Sequence, residues 1–165
     1  MTLNPPTRSS FGLGLLAMLP ACGFTPVYGP GGSGAALQGA VLVDAPITRD
    51  AYLLTRELET RLGRPNPGEY GLSYAIAVSE ESIAISRNNV TTRYNILGVI
   101  TYALRDLSTQ AVITSGKVSN FTGYSASGST VATQAAKEDA RTRLMTILAE
   151  QIVTLLLVSA PKSGA

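Results

Sequence analysis

The sequence predicts an α+β fold, a two-layer sandwich in which a four-stranded mixed sheet carries two helices on one face, in the order β-α-β-β-β-α. Three observations predict it. Between Leu72 and Phe121 apolar residues alternate with polar or small ones over most of the segment, which is the period of half-buried strands. Before and after that segment, apolar residues recur three and four positions apart, which is the period of a helix. The chain has 165 residues, 45% hydrophobic and 15% charged, so a single apolar core of ordinary size accounts for it.

The elements follow in order. Leu37 to Val43 is short, apolar and bounded by Asp44 and Pro46, and it reads as the first strand. Thr48 is an N-cap for a helix running to Leu62, stopped by Gly63 with Pro65 beyond. Ala51, Leu54, Leu58 and Leu62 form its buried stripe, and Glu57 with Arg61 makes an outward i,i+4 pair. Leu72, Tyr74, Ile76 and Val78 give the second strand one buried face; Ile83 and Ile85 break the phase, which predicts a bulge at Glu80-Glu81. Asn88-Asn89 tolerates positive φ and turns a hairpin into a third strand from Thr91 to Arg105. Arms of that length extend on the order of 50 Å, so the hairpin is expected to project beyond the core.

Asp106 to Gln110 makes the next turn, and Ala111 to Phe121 forms the fourth strand with Val112, Thr114, Gly116 and Val118 on one face. A loop of small and polar residues, Thr122 to Gly128, precedes the last helix, from Thr130 to Leu157. Ala136, Ala140, Leu144, Ile147, Leu148, Gln151, Ile152 and Leu155 make its expected core stripe. The first two strands join in parallel across the first helix, and strands two to four form an antiparallel meander.

The N-terminus carries a different kind of information. Residues 1–10 contain one basic side chain, Arg8, and no acidic one, and the apolar run Phe11 to Leu19 follows. This is the layout of a signal peptide, too short for a membrane span of about 20 residues. Leu19-Pro20-Ala21-Cys22 resembles the lipobox of bacterial lipoproteins, which implies cleavage before Cys22 and acylation of its thiol and new amine. Cys22 is the only cysteine of the chain. Two or more acyl chains anchor stably, so the protein is expected to be tethered to a membrane rather than to span it. Gly23 after the cysteine implies, by the same resemblance, transfer to the outer membrane. The domain organisation is therefore residues 1–21 as a removed signal peptide, 22–35 as a lipidated cysteine with a Gly/Pro-rich tether, 36–158 as one α+β domain, and 159–165 as a flexible tail.

Composition removes most chemistry. The chain has no histidine, hence no imidazole base and no histidine metal ligand. Gly123-Tyr-Ser125-Ala-Ser127 approaches a nucleophile elbow without its last glycine, and Ser159 to Lys162 matches S-x-x-K only in a tail interrupted by Pro161. Gly29 to Gly34 spells G-x-G-x-x-G with no strand before it, so it marks a tether and not a dinucleotide site. No catalytic residue, metal site or cofactor is expected. A net charge of +2 without a clustered basic face argues against nucleic acid.

The informative charges lie in the sheet. Arg87 and Arg93 bracket the Asn88-Asn89 turn, and no acidic residue falls between Glu81 and Asp106, so the hairpin tip is locally positive. Arginine forks match phosphate oxygens two at a time, which makes Arg87 and Arg93 candidate contacts for an anionic partner, with Lys117 and Arg105 as weaker ones.

Taken together, Cys22-Gly-Phe-Thr-Pro-Val-Tyr28, Arg93-Tyr-Asn-Ile96, Thr101 to Asp106, Thr114 to Lys117, Tyr124 to Ser127, and Ala136 through Ala140 to Leu144 are similar to the LptE family of LPS-assembly lipoproteins in its alphaproteobacterial form. That resemblance implies a non-enzymatic outer-membrane lipoprotein with a four-stranded sheet and two helices. It also implies that the protein plugs and helps assemble the LPS-translocating barrel LptD and contacts lipopolysaccharide; Arg87, Arg93 and Lys117 are the candidate contacts, with either LPS or the barrel. The competing expectation is an auxiliary adaptor lipoprotein of a lipid-transport ABC system, which would share the anchor and the α+β build.

Overall fold

The computed structural model describes residues 33–85, 91–126 and 128–159, and its elements run α1 (Ser33–Leu37), β1 (Val41–Val43), α2 (Arg49–Leu62), β2 (Tyr70–Ile85), β3 (Thr91–Asp106), β4 (Val112–Ser125) and α3 (Thr130–Ser159). The sheet order is β1-β2-β3-β4, with β1 parallel to β2 and the rest antiparallel. This is the expected α+β architecture with one short helix added at the start.

Local chemistry sets α2 where the sequence places it. The Thr48 hydroxyl accepts from the Ala51 N–H at 3.1 Å, satisfying one of the orphan donors of the first turn, and the Gly63 N–H closes the last turn onto the Glu59 carbonyl. Ala51, Leu54, Leu58 and Leu62 are buried as expected. The Glu57–Arg61 pair exists at 2.8 Å but is not freely solvated; Arg61 is 26% exposed and also reaches Glu150 of α3.

The first strand begins at Val41 rather than Leu37. Gly39 sits at φ +70° and breaks the extended run, while Leu37, wholly buried, closes α1. Helix α1 also takes in Ser33 to Ala35, the last residues of the expected tether.

On the meander, the even-numbered residues of β2 and β3 face the helices. Leu72, Ile96, Ile100, Tyr102 and Leu104 are buried there, joined by Val118 and Tyr124 of β4. The phase holds through Glu80 and Glu81, which pair regularly with Ile96 and Asn95; the bulge falls instead at Ile83, between Ser82 opposite Tyr94 and Ala84 opposite Arg93. In β4 a second irregularity places Val112 opposite Arg105 and turns it to the outer face, half exposed. The strand then continues to Ser125, so Thr122 to Ser125 is ladder rather than loop. Because β4 pairs with β3 as far as Arg93, the expected projecting arm is three-stranded and carries core residues out to Ile96 and Tyr124. The Asn88-Asn89 turn, Arg87, Cys22 and the tail from Ala160 onward lie outside the described residues.

Helix α3 crosses this face so closely that a Cβ on Gly98 would lie 2.8 Å from Leu148 Cδ1. Its buried residues are Ala140, Leu144, Met145, Leu148, Ala149, Ile152, Val153 and Leu156. The helix is therefore rotated from the expected stripe: Ile147, Gln151 and Leu155 sit on its flank, and Met145, Ala149, Val153 and Leu156 take the inner positions. Leu148→Ala is expected to lower unfolding free energy by about 2–5 kcal/mol. Leu155→Ala should stay within about 0.5 kcal/mol of wild type. Denaturant melts of the two variants check the rotation.

Candidate functional site

Register places every outer-face side chain of the meander, because residues paired across strands share a face. The outer rows are Arg105 and Val112; Ser73, Ala103 and Ser115; Ala75, Thr101 and Lys117; Ala77, Val99 and Ser119; Ser79, Leu97 and Phe121; Glu81, Asn95 and Gly123; and Arg93 and Ser125. No described helix covers them. Charges are few: Arg93, Arg105 and Lys117 against Glu81.

Arg93 and Lys117, which the sequence nominates together, are not brought together. Lys117 lies opposite Thr101 and Arg93 opposite Ser125, eight residues along the ladder, or roughly 27 Å. Arg105 is four residues further on, roughly 13 Å. Arg93 is exposed at the hairpin end and forms no ion pair among the described residues. It borders a groove of about 280 Å³ with Ile83, Asn95, Gly123 and Ser125. Gly123 supplies the space: a Cβ there would come 3.2 Å from Asn95 Oδ1. The bulge leaves Ile83 56% exposed at the rim, so a cation, an amide and an apolar side chain meet in one depression. Those are the groups that suit a phosphorylated amphiphile. Ser125, the serine of the near-elbow sequence, donates its hydroxyl to the Thr92 carbonyl at 3.3 Å.

Beneath this groove, on the core face, lies a polar cluster that sequence reasoning missed. Tyr94 and Tyr124 stack with ring centroids 5.3 Å apart. The Tyr124 hydroxyl donates to Glu80 Oε1 at 2.6 Å, and Lys137 of α3 meets Glu80 Oε2 at 2.5 Å. One turn along α3, Arg141 donates to Asp50 at 2.9 Å. Thr122 donates to the Ala140 carbonyl, and Arg143 to the Gly123 carbonyl. The helix is thus pinned to the end of β4 that carries the groove. The signal for this cluster was present in the sequence: Glu80 continues the buried phase of Leu72 to Val78, and a carboxylate on a buried face requires a partner.

Its electrostatics follow from the geometry. Burial pushes the Glu80 carboxyl up, but hydrogen bonds from Lys137 and Tyr124 and the charges of Lys137 and Arg141 outweigh it, holding the group below the usual carboxylate range. Burial and the hydrogen bond to Glu80 push the Tyr124 phenol up to about 12. Among the described residues no cluster of three His, Cys, Asp or Glu side chains is placed to hold a metal ion.

Comparison with known proteins agrees with this architecture. The family described as LptE, lipopolysaccharide-assembly, matches residues 39–156. A lipoprotein of Caulobacter crescentus CB15 superposes with TM-score 0.61 at 20% identity, over 76% of this chain and 93% of that one. The rare lipoprotein B of Shewanella oneidensis gives TM-score 0.54 at 10% identity, over 72% and 92%. A minor lipoprotein of Acinetobacter baumannii gives 0.53 at 15%, over 76% and 95%. No curated protein matches the sequence.

Glu80→Gln tests the cluster. Glu80 stabilises the fold only while ionised, and its folded pKa is depressed. The wild-type advantage, roughly 1 kcal/mol at this partly exposed site, should be full at pH 7 and vanish as pH falls through the carboxylate range. The variant should also bring the Tyr124 titration down from about 12 toward 10, read by ultraviolet absorbance. Unchanged melting and titration would remove Glu80 from this role.

Proposed function

Because the chain belongs to the LptE family of lipopolysaccharide-assembly proteins, we propose that it is an outer-membrane lipoprotein, anchored through acylated Cys22, that plugs and helps assemble the LPS-translocating barrel LptD and contacts LPS during insertion. The work proposed is binding and assembly, without a covalent step.

The observation that carries this reading is the opposition of the two ends of the domain. The chain enters through α1 and β1, which pairs with Tyr70 to Leu72 at the start of β2, whereas Arg93 lies across from Ala84 at the far end of that strand. Sixteen residues of β2 extend about 50 Å. A bilayer with its headgroups is about 40–45 Å thick. Cys22 precedes Ser33 by eleven residues, a reach of at most about 40 Å. A domain tethered at its α1 end to one leaflet, and enclosed by a barrel lumen, therefore has the length to present Arg93 at the level of the opposite leaflet, where the phosphates of lipid A reside. The low-charge outer rows of the sheet suit contact with a surrounding wall, since few charges need desolvating.

Two experiments test it. Replacing Arg87 and Arg93 with Glu in the full-length lipoprotein should weaken LPS binding by at least about tenfold at low salt and by less at high salt, with melting unchanged. Normal LPS binding with loss of co-purifying barrel would assign the pair to the barrel wall instead. If both survive, the hairpin end has neither role. Cys22→Ala should leave an uncleaved precursor or a protein released from the membrane fraction, which mass spectrometry of the N-terminus distinguishes from an unacylated mature chain. Pull-down of solubilised membranes with the wild-type protein should retain an LPS-translocating barrel in one-to-one ratio; retention of an inner-membrane transporter would favour the adaptor role.

A further inference from the structure

Helix α3 has two apolar residues to spare. Ile147 and Leu155 are spaced like core positions, yet the core stripe runs through Leu144, Leu148 and Ile152, and these two fall on the flank with Gln151, Leu155 being 42% exposed. That flank overhangs β4, and between helix and strand lies an open groove of about 570 Å³, bordered by Lys117 and Val118 below and by Ile147, Gln151 and Leu155 above, with Thr154 and the Arg61-paired Glu150 also in its lining. Val118, Ile147 and Leu155 give it an apolar strip.

The strand beneath it is an edge. Among the described residues nothing pairs with β4 on the side away from β3. Two contacts reveal which main-chain groups turn outward: the Phe121 N–H donates to the Asn120 side chain, and the Gly123 carbonyl accepts from Arg143. Main-chain direction alternates along an antiparallel strand, so Ser115, Lys117 and Ser119, of the same parity, turn their N–H and C=O groups the same way. The far third of the edge is thus capped by side chains, and the part beside the groove is not. From Thr114 onward this stretch has no proline and no bulge, and its one charged residue is Lys117. An unpaired ladder beside a helix-lined apolar groove is the arrangement by which a sheet takes up an extended peptide: the main chain pairs, and alternate side chains enter the groove.

We propose that β4 accepts a fifth strand, an extended segment of a partner protein, beside Lys117 with its apolar side chains under Ile147 and Leu155. Charge sets the chemistry of that partner. Lys117 is the only charged residue of β4, so an incoming strand is matched by an acidic residue opposite it, whereas two copies of β4 aligned about that point would set lysine against lysine. This inference is independent of LPS contact at the hairpin end, which lies roughly 27 Å away along the strand.

The test uses the full-length protein in detergent and a fluorescent, amidated peptide of alternating valine and threonine with a central aspartate. The peptide should bind at least tenfold more tightly than its lysine-centred counterpart, and Lys117→Glu should invert that preference. Leu155→Glu should abolish binding by charging the groove, and Ser119→Pro by removing an outward N–H, with melting checked in each variant. Only one edge of the added strand faces β4, so N-methylation of alternate peptide residues should block binding in one register and spare it in the other. Absence of binding, or binding indifferent to the methylation register, would overturn the proposal. So would a wild-type dimer that Ser119→Pro dissociates, because the edge would then belong to a second copy.

Discussion

One long apolar sheet face must be kept dry by helices on a single side, and most of the molecule follows from that constraint. Strands β2 and β3 have sixteen residues each, an extension of about 50 Å. Helix α2, with fourteen residues, covers about 21 Å of that length, and α3, with thirty, about 45 Å. Only α3 can follow the face to its far end, which is why it is nearly three times the usual helix length. Where α2 begins, opposite Glu138 to Arg141, the double cover ends. The core-facing residues change there from Leu72, Ile100 and Leu104 to Tyr94, Tyr124 and Glu80. A single helix leaves water at its flanks, and aromatic rings with polar tips tolerate that boundary better than aliphatic ones.

The two helices run parallel, and three ion pairs join them: Arg49 to Glu138, Asp50 to Arg141, and Arg61 to Glu150. Partners in all three are separated by nearly the same number of residues, 89 or 91. Exposed pairs contribute at most about 1 kcal/mol each, so their main effect is to select one sliding position of α2 along α3. Gly98 selects the depth, since Leu148 and Leu144 occupy the volume a side chain there would need. The position of α3 in turn places Lys137 over Glu80, which fixes the Tyr124 hydroxyl at the end of the sheet that carries Arg93.

How much of this was legible depended on whether the determining contact was local. Helix α2 could be read to the residue because Thr48, Gly63 and the leucine spacing act within a turn of one another. The strand order and the parallel joint followed from connection lengths. Leu37 to Val43 was misread because an apolar run does not reveal that Gly39 adopts positive φ. The rotation of α3 was hidden because its apolar residues occupy more than half of the circumference, leaving periodicity without a unique inward direction; packing against Gly98 and α2 decides it. Arg93 is exposed near the start of β3, and its distance from Lys117 depends on register, which the sequence leaves open. Glu80 was legible in phase and passed over, because two adjacent glutamates look like the end of a buried face.

The separation of the outer-face cations constrains what they can bind. Arg93, Lys117 and Arg105 lie along one face at successive intervals of roughly 27 and 13 Å. A single phosphate accepts hydrogen bonds at about 2.7–2.9 Å, so Arg93 cannot share one with Lys117 or Arg105. On the proposed reading, Arg93 would act with its own surroundings, Asn95, the exposed Ile83 and the space left by Gly123, so that charge, amide and apolar contact combine in place of a dense positive field. Lys117 borders a groove that Arg93 does not reach, which is why the proposed strand contact is separate from the hairpin end. A sheet with one open face and one open edge can hold two partners at once without their competing, provided neither requires the helical side, which α2 and α3 already occupy.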